Sequence, residues 1–114
     1  MIGNGSEVVA KLYRAVGFGE YALLADGEKF QILRGGVAAK YFGKSFEDTL
    51  NFANKPINNG MVAIFEVAVN ENVLLDVGDF AQVDKFIFRS GTVEIPEERL
   101  DEFNEAVQYV RHIY

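Results

Sequence analysis

Residues 61–69, MVAIFEVAV, decide the fold class, because they form the longest apolar run of the chain. A short run that is rich in β-branched residues is typical of a strand buried on both faces near the centre of a sheet. Glu66 interrupts the run, which is also too short to span a bilayer. The turn signal at residues 58–60, NNG, marks where this strand begins.

Further strands are predicted on both sides of this run. Residues 7–16, EVVAKLYRAV, favour an opening strand that is followed by a turn at Gly17 and Gly19. The other candidate strands are residues 30–33, 38–43, 84–89 and 92–95. Ser90 and Gly91 form the expected tight turn between the last two of these strands.

Two short helices are predicted in the first half of the chain. Residues 20–25 favour a helix that the Asp-Gly pair at 26–27 ends. Ser45 is the expected N-cap of the second helix, with Asp48 reaching back to it in a capping box. Pro56 forbids any continuation of that helix.

The last segment predicts an amphipathic helix that follows Pro96 and packs on the sheet. One apolar stripe recurs at helical spacing in the residues Leu100, Phe103, Val107 and Val110. Arg111 and His112 fall in the expected last turn, where positive charge is favoured. We therefore expect one α+β domain over residues 1–114, with a small mixed, mainly antiparallel sheet, short helices and this C-terminal helix.

Composition excludes several classes of function. The chain has 114 residues, of which 49% are hydrophobic, and its ten Phe and five Tyr can build a sizeable core. The lack of cysteine excludes disulfides and thiolate chemistry, and the single histidine excludes a site with two imidazoles. A net charge of −6 opposes broad binding of nucleic acid. The sequence shows no phosphate loop, dinucleotide fingerprint or nucleophile elbow.

Arg14 and Glu66 are the two charges predicted to lie on apolar strand faces. In a strand over residues 8–16, Arg14 shares a face with Leu12 and Val16, so its guanidinium needs a protein carboxylate or a ligand phosphate. Glu66 needs a cation or a position in a cleft for the same reason. A structural pair of Arg14 with Glu66 is the simplest arrangement, and a ligand site is the alternative.

Three further residues are candidates for a site. Tyr41 lies at the end of the strand over residues 38–43, and Ser45 follows it at the start of a helix, where anions and ring systems commonly bind. The alternative for both is ordinary packing and capping. His112 lies at the predicted end of the last helix, where a solvated partner of the helix dipole is more common than a catalytic base.

Several short motifs resemble the small C-terminal toxin modules of bacterial polymorphic toxins, of the Rhs and contact-dependent-inhibition kind. They are residues 12–16 (LYRAV) and 40–42 (KYF), followed by Ser45, Glu47-Asp48 and Phe52-Ala53. The order of the motifs is also similar to that of the ADP-ribosyltransferase fold. The resemblance implies NAD as a substrate, with Arg14 holding the dinucleotide and with Tyr41 and Ser45 supplying the second motif.

The resemblance also implies a catalytic carboxylate, which stabilises an oxocarbenium-like ribose as nicotinamide leaves. Glu94 matches the glutamate of the third family motif only with a shift, and Glu66 is the other candidate. Such a module is expected to bind a cognate immunity protein and not to bind a membrane. Nucleic acid is expected only as a possible substrate. It is expected to be secreted within a larger effector or to act in the bacterial cytoplasm, because no signal peptide is evident.

Two other functions compete with this interpretation. A metal-independent ribonuclease toxin would draw on His112, Arg14, Lys40 and Lys44. A non-enzymatic binding or accessory protein would need no convergence of polar groups, and would keep Arg14 and Glu66 paired within the fold.

Overall fold

A computed structural model describes residues 8–32, 39–81 and 86–114, which form an α+β fold built on one six-stranded antiparallel sheet. The strands lie in the order β4-β5-β2-β1-β3-β6. They are β1 Val9–Gly17, β2 Ala39–Gly43, β3 Met61–Asn70, β4 Asp79–Ala81, β5 Thr92–Pro96 and β6 Val107–His112. The helices are α1 Phe18–Ala25, α2 Phe46–Ala53, α3 Glu71–Val77 and α4 Leu100–Ala106, with 3-10 turns at Pro56–Asn58 and Glu97–Arg99.

The sheet divides between its two central strands, β2 and β1. β1 and β3 pair along their whole length, from Val9 opposite Asn70 to Gly17 opposite Met61. In contrast, β1 meets β2 at a single register pair, Tyr13 opposite Gly43. The sheet therefore has one part made of β1, β3 and β6 and another made of β2, β4 and β5, with a split between them.

Alternation along the strands gives the sheet two different faces. The core face carries Leu12, Val16, Phe42, Phe65, Val67, Val93 and Ile95, which are buried together with residues of α3 and α4. The opposite face, here called the α2 face, carries Tyr13, Tyr41, Gly43, Glu66, Thr92 and Glu94. α2 packs on this face over β1, where the ring of Phe46 contacts that of Tyr13 edge-on.

Four predicted strands and two predicted helices are confirmed. These strands are β1, β2, β3 and β5, and the helices are α1 and α2. Ser45 caps α2 as expected, because its Oγ accepts a hydrogen bond from the backbone N–H of Asp48 at 3.3 Å. The carboxylate of Asp48 does not complete a capping box, however, since it accepts the backbone N–H of Ser90.

The prediction for the last helix is wrong in its second half. α4 ends at Ala106, and residues 107–112 form β6, which pairs with the outer edge of β3. Leu100 and Phe103 do pack into the core, as the apolar stripe predicted. Val107 and Val110 fit a helix by spacing, but β-branched residues also favour a strand, and β6 satisfies backbone groups of β3 that would otherwise lie at an edge.

Two elements were absent from the prediction. α3 begins at a cap in which Asn70 Oδ1 accepts the N–H of Val73 at 3.1 Å, and it buries Leu74 and Val77. β4 follows it and pairs with β5. Among the described residues, no helix is long and apolar enough to cross a membrane.

Two predicted strands are wrong where the structure describes them. Residues 86–89 of the predicted strand 84–89 form turns and irregular structure, and residues 84–85 are outside the described ranges. Residues 30–32 of the predicted strand 30–33 are irregular, and Leu33 is outside the described ranges. The side-chain amide of Asn104 binds both the N–H and the carbonyl of Phe30, at 3.1 and 2.8 Å, so it replaces a strand partner.

Candidate functional site

The split in the sheet is bridged by the side chain of Arg14. Its Nη1 donates a hydrogen bond of 2.8 Å to the backbone carbonyl of Tyr41, on the far side of the split. Because β1 and β2 share only one register pair, this bond replaces part of the missing ladder between them. Arg14 is partly buried, with 20% of its side chain exposed.

Arg14 is held by Glu20, in the first turn of α1. Arg14 Nε and Nη2 donate to the two carboxylate oxygens of Glu20 at 2.7 and 2.9 Å, which is a bidentate pair. Lys40 Nζ donates to the same carboxylate at 3.1 Å, and its side chain is only 6% exposed. Two cations thus share one carboxylate, and the cluster carries a net positive charge.

Burial and neighbouring charges shift the pKa values of both Glu20 and Lys40. Burial alone would raise the pKa of Glu20, but the hydrogen bonds and charges of Arg14 and Lys40 hold that pKa below its ordinary value. Burial, together with the nearby charge of Arg14, lowers the pKa of Lys40, although Glu20 opposes this change. Glu20 is therefore ionised at neutral pH and compensates part of the buried positive charge.

A cavity of about 340 Å³ opens at the split, beneath α2. Its walls are mainly apolar and aromatic, and they comprise Tyr13, Arg14, Ala15, Tyr41, Phe42, Gly43, Thr49, Phe52, Met61, Phe88 and Thr92. Gly43 allows the helix to approach this closely, because a Cβ at that position would collide with Thr49 Oγ1 and lie 3.1 Å from the ring of Phe88. A volume and lining of this kind suit a small ligand with a flat apolar part.

Tyr41, which lines this cavity, lies directly opposite Glu94 of the neighbouring strand β5. The neighbouring carboxylate of Glu94 raises the pKa of Tyr41. Tyr41 is 43% exposed, so its ring is accessible. Asp79 lies opposite Glu94 on β4, so two carboxylates face each other across that strand pair.

No family model, curated protein or solved structure matches this chain.

Glu66 is satisfied by groups other than Arg14. Tyr13 Oη and Tyr109 Oη donate to its carboxylate at 3.0 and 2.8 Å, and Arg111 pairs with it. The hydrogen bond from Tyr109 is the main reason that the pKa of Glu66 is lowered, against the opposing effect of burial and with further help from Arg111. The expected pair of Arg14 with Glu66 is wrong, because the register places Tyr13 opposite Glu66 and turns Arg14 to the other face.

Of the four groups expected for a ribonuclease, Arg14 and Lys40 meet at Glu20, whereas His112 and Lys44 contact other residues. His112 stacks on Phe65, at 5.3 Å between ring centroids, and its Nε2 contacts the backbone carbonyl of Tyr114 at 3.0 Å. Lys40 is occupied by Glu20, and Lys44 lies over the ring of Phe80. In the described ranges, no three His, Asp or Glu side chains are arranged to hold a metal ion.

Of the predicted site residues, Arg14 and Tyr41 meet at the cavity, and Glu94 lies opposite Tyr41 on β5, outside the cavity lining. Ser45 is nearby in sequence, but its hydroxyl is used as the cap of α2. The role of Glu20 was not predicted, although an acidic residue in the first turn of a helix, six positions after a strand arginine, is a usable signal. The aromatic wall formed by Phe52 and Phe88 was also missed, because the two residues are far apart in the sequence.

Proposed function

We propose that this chain is a bacterial toxin effector domain that transfers ADP-ribose from NAD to a cellular target. The observation that carries the proposal is the split between β1 and β2, where Arg14 bonds to the carbonyl of Tyr41, with Glu94 opposite Tyr41 on β5. These are the three residues that match the family motifs in the first strand, the second strand and a late strand. Arg14 and Tyr41 line a cavity that is large enough for part of a dinucleotide, and Glu94 lies one strand further on, opposite Tyr41.

The charge of the site supports an anionic ligand. Arg14 and Lys40 carry two positive charges against the single charge of Glu20. A guanidinium has five N–H donors, and the hydrogen bonds described for Arg14 use three of them. The remaining donors suit the diphosphate of NAD, because arginine binds phosphate oxygens with matched geometry.

The apolar cavity supports the binding of a flat ring. Aromatic side chains favour offset or edge-on contacts with other rings, and both Phe52 and Phe88 line the cavity. The exposed ring of Tyr41 lies at the same edge. Nicotinamide is the part of NAD that this environment fits.

The proposed reaction breaks the glycosidic bond between ribose C1 and the nicotinamide nitrogen, and nicotinamide leaves with the electron pair. The ribose then carries oxocarbenium character, which the carboxylate of Glu94 stabilises. A nucleophile of the target forms the new bond to C1 and loses its proton to solvent or to a nearby base. We assign the acid role to Glu94 and not to Glu66, because Glu66 already accepts from Tyr13, Tyr109 and Arg111.

Inducible expression in the bacterial cytoplasm tests the toxin part of the proposal. We expect growth to stop with the natural sequence and to continue with Glu94→Gln at an equal soluble level. Glu98→Gln is the matched control, since Glu98 is exposed and lies outside the site. Equal growth of all three strains would contradict the proposal, and rescue by a cognate immunity protein would extend it.

A non-enzymatic binding module is the second candidate, and one observation favours it. Arg14 and Glu66 are both paired within the fold, although not with each other. On that account, Arg14→Ala would lower stability and leave any effect on growth unchanged. On the enzymatic account, a folded Arg14→Lys variant keeps the charge but loses the bidentate geometry and the growth effect.

A further inference from the structure

Residues 86–91 precede β5 and form a loop that is fastened to α2. The backbone N–H of Ser90 donates to Asp48 Oδ2 at 2.8 Å. Gly91 has a φ of 92°, which glycine adopts without strain, and its N–H closes a turn on the carbonyl of Phe88 at 3.0 Å. The N–H of Lys44 also donates to the carbonyl of Gly91, at 3.3 Å. The loop is therefore bonded both to the helix and to the end of β2.

Asp48 makes the side-chain part of this attachment. It lies in the first turn of α2 and is only 7% exposed. A buried carboxylate needs hydrogen-bond donors, and the N–H of Ser90 is the one described for its side chain. Glu47, the next residue in the same turn, is exposed. The two acids thus share a helix end but differ in whether they hold the loop.

Phe88 is the residue that the attachment places in the cavity. Its ring packs on the ring of Phe52, with the centroids 5.2 Å apart. It also lies directly over Gly43, where a Cβ would be 3.1 Å away. Phe88 therefore forms a wall that faces α2 and β2, and its position fixes the distance available for a ligand between the loop and the sheet.

We propose that Asp48 is a positioning residue, which holds Ser90 so that Phe88 sets the width of the cavity for one flat aromatic ring. The inference rests on the proposed function, in which the ring is nicotinamide. It adds that ring affinity depends on a carboxylate that does not line the cavity. The effect of Asp48 is transmitted through the Ser90 backbone to the Phe88 side chain.

The test compares the natural sequence with Asp48→Ala and with Glu47→Ala as the matched control. Amide hydrogen exchange is measured at Ser90 and Gly91, and the binding of nicotinamide, indole and NAD is measured by calorimetry or by NMR. For Asp48→Ala we expect exchange at Ser90 to rise and affinity for both rings to fall, each by about tenfold, as for the loss of one buried hydrogen bond. Glu47→Ala should change neither quantity.

A second variant keeps the inference testable if Asp48→Ala does not fold. Phe88→Ala leaves Asp48 in place and removes the wall, so it should lose ring affinity while the N–H of Ser90 stays protected. Unchanged exchange at Ser90 in a folded Asp48→Ala would overturn the inference, as would faster exchange with unchanged ring affinity. A natural protein that binds neither nicotinamide nor indole would overturn it too.

The outcomes for NAD separate this inference from the proposed function. If the natural protein binds both rings and Asp48→Ala weakens them, the positioning role stands even when NAD does not bind. In that case only the proposed transfer from NAD fails. If NAD binds and is cleaved equally by all variants, the proposed function stands and the positioning role fails.

Discussion

Arg14 and Glu20 are joined by two hydrogen bonds of 2.7 and 2.9 Å, at the point where the sheet splits. The pair fixes the guanidinium so that its third nitrogen reaches the carbonyl of Tyr41. It also ties α1 to β1, because Glu20 lies in the first turn of the helix that follows the strand. The structure of the split and the charge of the candidate site thus depend on the same carboxylate.

Glu20→Gln should strongly lower the free energy of unfolding. The substitution keeps the size of the side chain but leaves Arg14 and Lys40 without their shared counter-charge. Breaking a buried ion pair by removing one partner costs roughly 3 kcal/mol, and the partial exposure of Arg14 places this case at the lower end. Urea unfolding measures the free energy of unfolding of Glu20→Gln and of the control Glu98→Gln. Equal values for the two variants would show that the Arg14–Glu20 pair does not stabilise the fold.

Gly43→Ala should destabilise the protein, whereas Gly19→Ala should not. A Cβ at Gly43 would meet Thr49 and Phe88, and forced packing of this kind costs about 1–3 kcal/mol. A Cβ at Gly19 meets nothing within 4 Å, and alanine is favoured over glycine in a helix. Thermal unfolding of the two variants checks the contrast. A Gly43→Ala protein as stable as the natural one would mean that α2 is not packed closely on β2.

Stability should fall in acid, in part through Glu66. Its folded pKa is lowered, so its contribution is fully present above the ordinary value of 4.5 and is lost as pH falls through the folded pKa. The difference in unfolding free energy between the natural protein and Glu66→Gln should therefore be constant near neutral pH and shrink below about pH 4.5. A difference that does not vary with pH would contradict the bonds from Tyr109 and Arg111.

The sequence was sufficient to predict the parts of the fold that have a clear local pattern. The apolar run of β3 and the alternation in β1 identified the central strands, and Ser45 located the start of α2. Arg14, Tyr41 and Glu94 were predicted from a motif resemblance. Arg14 and Tyr41 meet across the split, and Glu94 lies opposite Tyr41 on β5.

The remaining features depend on long-range pairing that no local pattern contains. The spacing of Val107 and Val110 fits a helix. These residues form a strand because they pair with the otherwise open edge of β3. That error had a consequence for the site, because Tyr109 and Arg111 of β6 are partners of Glu66. Without β6 in the sheet, Arg14 is the simplest partner for Glu66, and no local pattern pairs Arg14 with Glu20.

The central claim is that Glu94 acts on NAD that is bound at the split between β1 and β2. Release of nicotinamide from NAD tests this claim most directly. The purified natural protein, Glu94→Gln and the control Glu98→Gln are incubated with NAD, and free nicotinamide is measured over time. We predict release by the natural protein and the control, and a loss of about 100-fold or more in Glu94→Gln with folding retained. No release by the natural protein, or equal release by folded Glu94→Gln, would contradict the account.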